Sequence, residues 1–331
     1  MANYTLYGIG HALVDMVYEV DDAYLESIGE EKGRMALVDQ ARQDELKKAL
    51  PEQQLLQACG GSAANSLIGF AQLGGSAYQA CRVAADETGD FFIKDMENNG
   101  VHNEQQNEVA GDTGRCMVFV TPDAERTMCT FLGASEGLSP ADLADEPLKN
   151  AQWLYVEGYL VTAPNTLETA LKGLEIARAH GVKTAFTFSD VNMVKFFRAG
   201  FEQMIGDTGL DLIFCNEEEA LAFADTDSVE QAAEELKKHA RGFAITLGSK
   251  GALAWDGSTM HRVEGRAVKA IDTLGAGDLF AGAFLYGVTQ GWDYHKSAQL
   301  ACLCCAELVQ QNGARLPAAT TQKVLAGFRL C

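Results

Sequence analysis

From about residue 150 onward, apolar runs of strand length alternate with stretches of helical periodicity. The runs fall at 153–156, 182–188, 211–215 and 243–247, and the helical stretches between them include 165–180 and 228–240. Continuous apolar strands separated by helices predict an α/β fold with a mostly parallel central sheet and helices on both faces. Ligands in such sheets bind at the carboxyl ends of the strands. This chain carries glycines and small polar residues after several of them.

The first 130 residues are patterned differently. Segments 14–20, 33–39, 113–121 and 126–131 have strand character, and the last two predict a hairpin through Pro122-Asp123-Ala124-Glu125. Helical stretches at 41–50, 62–73 and 88–99 lie between them. The expected organisation is a small β lid, discontinuous in sequence, formed by 14–40 and 106–131. The α/β body then comprises 1–13, 41–105 and 132–331.

At 331 residues the chain is long enough for a large buried core, and its 47% hydrophobic and 22% charged residues are ordinary for a folded globular protein. The formal net charge of −20 argues against nucleic acid or an anionic membrane as a partner. No run approaches the ~18 apolar residues of a membrane-spanning helix, and the first residues lack a basic leader, so a cytoplasmic location is expected. Cys302, Cys304 and Cys305 lie in an apolar helical run, where cysteine acts as a small hydrophobe, and the six histidines show no ligand spacing for zinc.

Two glycine turns carry the chemistry. Asp272-Thr273-Leu274-Gly275-Ala276-Gly277-Asp278 runs directly into the apolar segment 279–286, so a glycine turn opens a buried helix with a carboxylate in its first turn. A helix N-terminus offers unpaired N–H groups and a partial positive charge, and glycines let an anion approach them closely. Asp278 would stand as a base beside that anion site, although an acid in a first turn is also ordinary dipole compensation. Gly60-Gly61-Ser62-Ala63-Ala64-Asn65-Ser66 opens a second helix that Gly74-Gly75 closes. The chain has no GxxxxGK[ST] loop, and Gly8-Ile9-Gly10 lacks the third glycine of a dinucleotide fingerprint.

Both turns resemble the signatures of the PfkB or ribokinase family of carbohydrate and nucleoside kinases, and the resemblance extends over essentially the whole chain. It implies a ribokinase-like three-layer α/β/α fold with a β lid, and a phosphotransferase that uses ATP and Mg²⁺. By the same resemblance Asp278 deprotonates the accepting hydroxyl, the turn Gly275-Ala276-Gly277 presents an anion hole in which the amides of Ala276, Gly277 and Asp278 spread the developing charge, and Arg126 on the lid hairpin reaches the transferring phosphoryl group. Asp15 would accept two vicinal hydroxyls, Gly60 and Gly61 would let a sugar ring lie on the backbone, and Asn65 would bond ribose hydroxyls.

On the nucleotide side, Asn216 and Glu219 match an NxxE pattern that suits magnesium, with Asn216 acting through water. Thr246, Gly248 and Gly251 resemble a nucleotide loop, and Cys302, Asn312 and Gly313 fall beside the expected adenine. Asp272, Leu274 and Gly313 lie where the resemblance suggests a monovalent cation such as K⁺. Within the family the chain leans toward bacterial adenosine kinases, through the PDAERTM hairpin, residues 155–160 and residues 186–190, with Tyr159 offering a face to a base. Adenosine 5′-hydroxyl is then the first acceptor. Two features keep a free sugar open: Glu157 resembles a substrate-side carboxylate of ribokinases, and Asn192 and Met193 stand where a stacking aromatic is usual. A non-catalytic nucleoside or sugar sensor is the third reading. The partner expected is a small molecule, together with a homodimer formed through the lid, whose strand edges are natural pairing surfaces.

Overall fold

The computed structural model describes residues 4–50, 54–104, 109–123 and 125–330, with the side chains of Gln54 and Leu55 outside that description. Among these residues the chain builds two sheets. The larger has nine strands, seven of them consecutive and parallel, and the hairpin strands Ala252–Trp255 and Met260–Val263 close one edge antiparallel.

Alternate residues of the parallel strands feed two separate cores, because successive side chains of a strand point to opposite faces. Trp153, Tyr155, Ala185, Leu212, Phe214 and Ala244 pack on one side against the helices Ser62–Gln72, Ala276–Thr289 and Tyr294–Leu308. Leu154, Val156, Phe186, Ile213, Phe243 and Ile245 pack on the other against Pro164–His180, Arg198–Ile205 and Val229–Leu236. The three-layer α/β/α arrangement follows. No helix among the described residues is long and apolar enough to cross a membrane.

The smaller sheet runs in the order Met35–Leu37, Arg126–Gly133, Thr113–Val120, Leu13–Glu19, Gln54–Gly60. One of its faces is closed by the helices Asp22–Ile28 and Gln40–Ala49, through Leu25, Ile28 and Leu46 packed on Tyr18, Met117, Phe119 and Cys129. The opposite face looks onto the cleft described below.

These sheet memberships correct the sequence division, which assigned 41–105 to the body. The helix Gln40–Ala49 packs on the small sheet, and Gln54–Gly60 pairs antiparallel with Leu13–Glu19 within it. The alternation of a strand does not say which sheet it will join; pairing partners decide that. The segment 33–39 supplies only a three-residue edge strand, Met35–Leu37, and the helix expected over 228–240 ends at Leu236 so that Ala240–Thr246 can run parallel to Leu210–Asn216. Ala124 of the hairpin turn and residues 105–108, where the sequence division passes from body to lid, lie outside the described residues.

Candidate active site

Two helix N-termini meet beneath the small sheet. Ala276–Thr289 begins after Gly275, whose φ of 71° is the left-handed conformation that glycine adopts without Cβ strain. No side chain caps this helix. The N–H of Ala276 is spent on the Thr273 carbonyl at 3.2 Å, whereas those of Gly277 and Asp278 meet no acceptor among the described residues. Of the three amides the sequence suggested for an anion, those of Gly277 and Asp278 are open to one, with Gly275 and Ala276 shaping the turn.

The second N-terminus, that of Ser62–Gln72, supplies the partners of Asp278. Ser62 Oγ donates to Asp278 Oδ1 at 2.7 Å and Asn65 Nδ2 donates to Oδ2 at 3.0 Å. Burial pushes the Asp278 carboxyl up to about 6, while these two donors hold it down. Asn65, assigned from sequence to ribose hydroxyls, donates through its NH₂ to Asp278; its buried Oδ1 has no hydrogen-bond partner among the described residues.

A cleft of about 380 Å³ lies between the two sheets and gathers Asp15, Gly61, Asn65, Glu157, Tyr159, Asn216, Glu219, Thr246, Leu274, Gly275, Ala276, Gly277 and Asp278 from the sequence-based set. Gly60 adjoins it: a Cβ there would stand 2.5 Å from both carboxylate oxygens of Asp15, so glycine is needed for the close approach. Burial pushes Asp15 up to about 7, with Arg315 and Arg126 acting downward and Asp278 upward.

Glu157 is fully buried; its Oε1 accepts from the His11 N–H and its Oε2 from the Ala63 N–H, both at 2.8 Å. It clamps the strand leading to Asp15 onto the helix that holds Asp278. The resemblance gave it a direct substrate contact; it lines the cleft and in addition braces the two loops. Burial raises its carboxyl to about 7 against the pull of those two amides.

Glu219 and Asn216 form a reciprocal capping box: Asn216 Oδ1 accepts from the Glu219 N–H, while Glu219 Oε2 and Oε1 accept from the Asn216 N–H and Nδ2. Burial raises Glu219 to about 7. A carboxylate has four lone-pair sites, so two remain for waters of a hard cation. The cleft itself argues for one. Among the described residues five carboxylates line it (Asp15, Glu157, Asp190, Glu219 and Asp278) and no Lys or Arg does. A polyphosphate entering such a site needs a cation brought with it.

Several expected residues lie elsewhere. Arg126 does not line the cleft; its Nη2 pairs with Asp272 Oδ2 at 2.7 Å, and Nη1 is buried without a hydrogen-bond partner among the described residues. Asp272 also accepts from the Leu274 N–H (3.0 Å) and the Gly313 N–H (2.7 Å). The Asp272 carboxylate thus holds two amides and a guanidinium; the monovalent cation was expected on backbone carbonyl oxygens of this loop, which these contacts leave untouched. Asn312 Oδ1 lies 3.4 Å from Arg126 Nη2 in the same seam. Cys302 lines a separate groove with Val263, Glu264 and Lys296. Gly248 and Gly251 form the turn between Ala240–Thr246 and Ala252–Trp255, outside the cleft lining, leaving Thr246 as the loop residue that reaches it.

Three contributors escaped the sequence reading. Ser62 was read only as part of a glycine turn, and its role needs a partner 216 positions away. Asp190 caps the helix Val191–Phe196 while facing the cleft, and an Asp after a strand is a legible signal of that kind. Arg315 pairs with Asp95 at 3.1 Å and donates to Cys59 Sγ at 3.1 Å, a link between distant segments that no local pattern announces.

Comparison with known proteins agrees with this geometry. A family model described as pfkB family carbohydrate kinase matches residues 22–321. A solved probable sugar kinase from Rhizobium etli superposes with a TM-score of 0.90 at 35% identity over 99% of this chain and 100% of its own. An adenosine kinase from Sinorhizobium meliloti gives 0.90 at 34% identity over 100% of both chains. A ribokinase from Lactococcus lactis is 27% identical over 264 residues, 77% of this chain and 81% of its own.

Proposed function

The chain belongs to the pfkB family of carbohydrate kinases, and from that membership we propose that it transfers the γ-phosphoryl group of MgATP to the 5′-hydroxyl of a nucleoside, with adenosine as the first acceptor. An ATP-dependent kinase acting on a hydroxyl group is what the family supplies; the choice of acceptor rests on the shape of the cleft.

One observation carries the nucleoside reading. The lid face above the cleft is apolar, with Leu13, Met35, Leu37, Met128 and Leu132 facing Met193 and Phe280 of the body. Met35 and Leu37 are 42% and 58% exposed, unusual for large apolar side chains on a short edge strand. A flat base would cover them, whereas a free sugar would leave them wet. The polar end, with Asp15, Asn65 and Asp278, suits a ribose diol and its primary alcohol. The similarity to an adenosine kinase supports the same choice.

Magnesium would be held through waters by Glu219 and Asn216 and would neutralise charge on the phosphates. The remaining work falls to the chain. Asp15 accepts hydrogen bonds from the diol and fixes the ring. Asp278 takes the proton of the primary hydroxyl as its oxygen bonds to the γ-phosphorus and the bond to ADP breaks. The Gly277 and Asp278 amides receive the charge that develops. The lid sheet above excludes water that would otherwise accept the phosphoryl group.

A free sugar is the second reading, favoured by the ribokinase relative and by the lack of an aromatic at Asn192 and Met193. ADP release measured with adenosine, inosine, guanosine, ribose and fructose separates the two. Turnover with ribose or fructose and none with nucleosides would replace the nucleoside reading.

A further inference from the structure

Asp278 has an unusual set of neighbours for a carboxylate expected to be ionised. Its charge raises the pKa of Asp15 on the small sheet, Glu157 on the strand Trp153–Glu157, Tyr159 after it and Glu219, whereas its own ionisation is opposed chiefly by burial. The same charge raises Tyr155 and the thiol of Cys305. No Lys or Arg among the described residues lines the cleft. The charge of Asp278 is thus supported by the amides of its own helix terminus and by two neutral donors, Ser62 Oγ and Asn65 Nδ2, both on one turn of the neighbouring helix.

We infer that Ser62 is a positioning residue for proton abstraction: its hydroxyl, by donating to Asp278 Oδ1, fixes the orientation of that carboxylate and stabilises its charged form. Asn65 fixes the second oxygen, so the carboxyl plane is pinned at both ends and the remaining lone pairs are directed into the cleft. A hydroxyl suits the task better than a cation would. Lys or Arg at 2.7 Å would hold the carboxylate far below its ordinary range and make it a poor base, whereas no donor at all would leave it protonated near neutrality. With a hydroxyl and an amide the group lies at about 6, close to the pH at which a base is most effective.

The inference rests on Asp278 being the base of the proposed reaction, so its test has one arm that needs no turnover. The ionisation of Asp278 is followed by ¹³C NMR of the side-chain carboxyl in protein labelled at Asp, the resonance being identified by its loss in D278N. In Ser62→Ala the midpoint is expected to rise by about one unit, because a donor to the charged form has been removed. Ser62→Thr keeps the hydroxyl and should titrate as the wild type; Ser62→Val, of the same shape without it, should titrate like Ser62→Ala. In turnover, the acid limb of kcat should move upward in step, with the KM for ATP changed less than twofold. Equal midpoints in the Thr and Val variants would overturn the inference, and so would an unmoved acid limb in an active Ser62→Ala. Absence of phosphorylation of every acceptor by the wild type would instead remove the functional reading, with the titration still deciding what Ser62 does to Asp278.

Discussion

Arg126 Nη2 stands 2.7 Å from Asp272 Oδ2, and this contact joins the hairpin of the small sheet to the loop that opens the helix Ala276–Thr289. Side-chain exposures of 12% and 4% make it a largely desolvated pair. Asp272 fixes Leu274 and Gly313 through the same carboxylate, so lid position and loop geometry meet in one group.

Removing either partner should not cost the same. Asp272→Ala strands two backbone N–H groups and a guanidinium, whereas Arg126→Met leaves Asp272 with its two amide donors. Thermal unfolding should show the larger loss for Asp272→Ala, and a double-mutant cycle should give a coupling of about 1–3 kcal/mol. Equal losses with no coupling would show that the pair does not carry the seam.

Asp278→Asn should retain ATP and acceptor binding while lowering kcat by about two orders of magnitude or more. For the intact enzyme the base must be deprotonated, so kcat should fall as pH drops through about 6. Near-normal turnover of the Asn variant in a coupled ADP assay would remove Asp278 as the base.

Asp15, Glu157 and Glu219 at about 7 and Asp278 at about 6 all lie above their ordinary carboxylate values. The folded protein therefore binds protons more tightly than the unfolded chain between about pH 4 and 7, and the slope of unfolding free energy with pH is negative there. Their contribution is fully present below about pH 4 and is lost as pH rises through about 7. The ligand-free protein should melt at a higher temperature near pH 5.5 than at pH 8, and the difference should shrink in the Asp15→Asn, Glu219→Gln double variant.

Gly60→Ala should imitate Asp15→Ala. The added methyl would meet both Asp15 oxygens, while the Gly60 φ is not left-handed and imposes no backbone strain. Both variants should raise the acceptor KM about tenfold or more and leave ATP affinity nearly unchanged. An unaffected acceptor KM in Gly60→Ala would mean that Asp15 does not hold the diol.

Some of this molecule was written in its sequence. The apolar runs at 153–156, 182–188, 211–215 and 243–247 became neighbouring parallel strands, because a segment apolar on both faces must be covered on both. The glycine turns before Ser62 and Ala276 became helix starts, since local φ requirements and capping chemistry are properties of a few adjacent residues. What tertiary structure alone decided is how those local pieces face one another. The segments 41–50 and 54–60 joined the small sheet because their partners, the cluster of Phe119 and Cys129 around Leu46 and Val14 opposite Cys59, are chosen across the fold. Asn65 turned its amide onto Asp278, Glu157 became a brace between loops, and Arg126 paired with Asp272. Hydrogen bonds and ion pairs of this kind depend on distances between residues far apart in the chain, which periodicity and motif spacing do not encode.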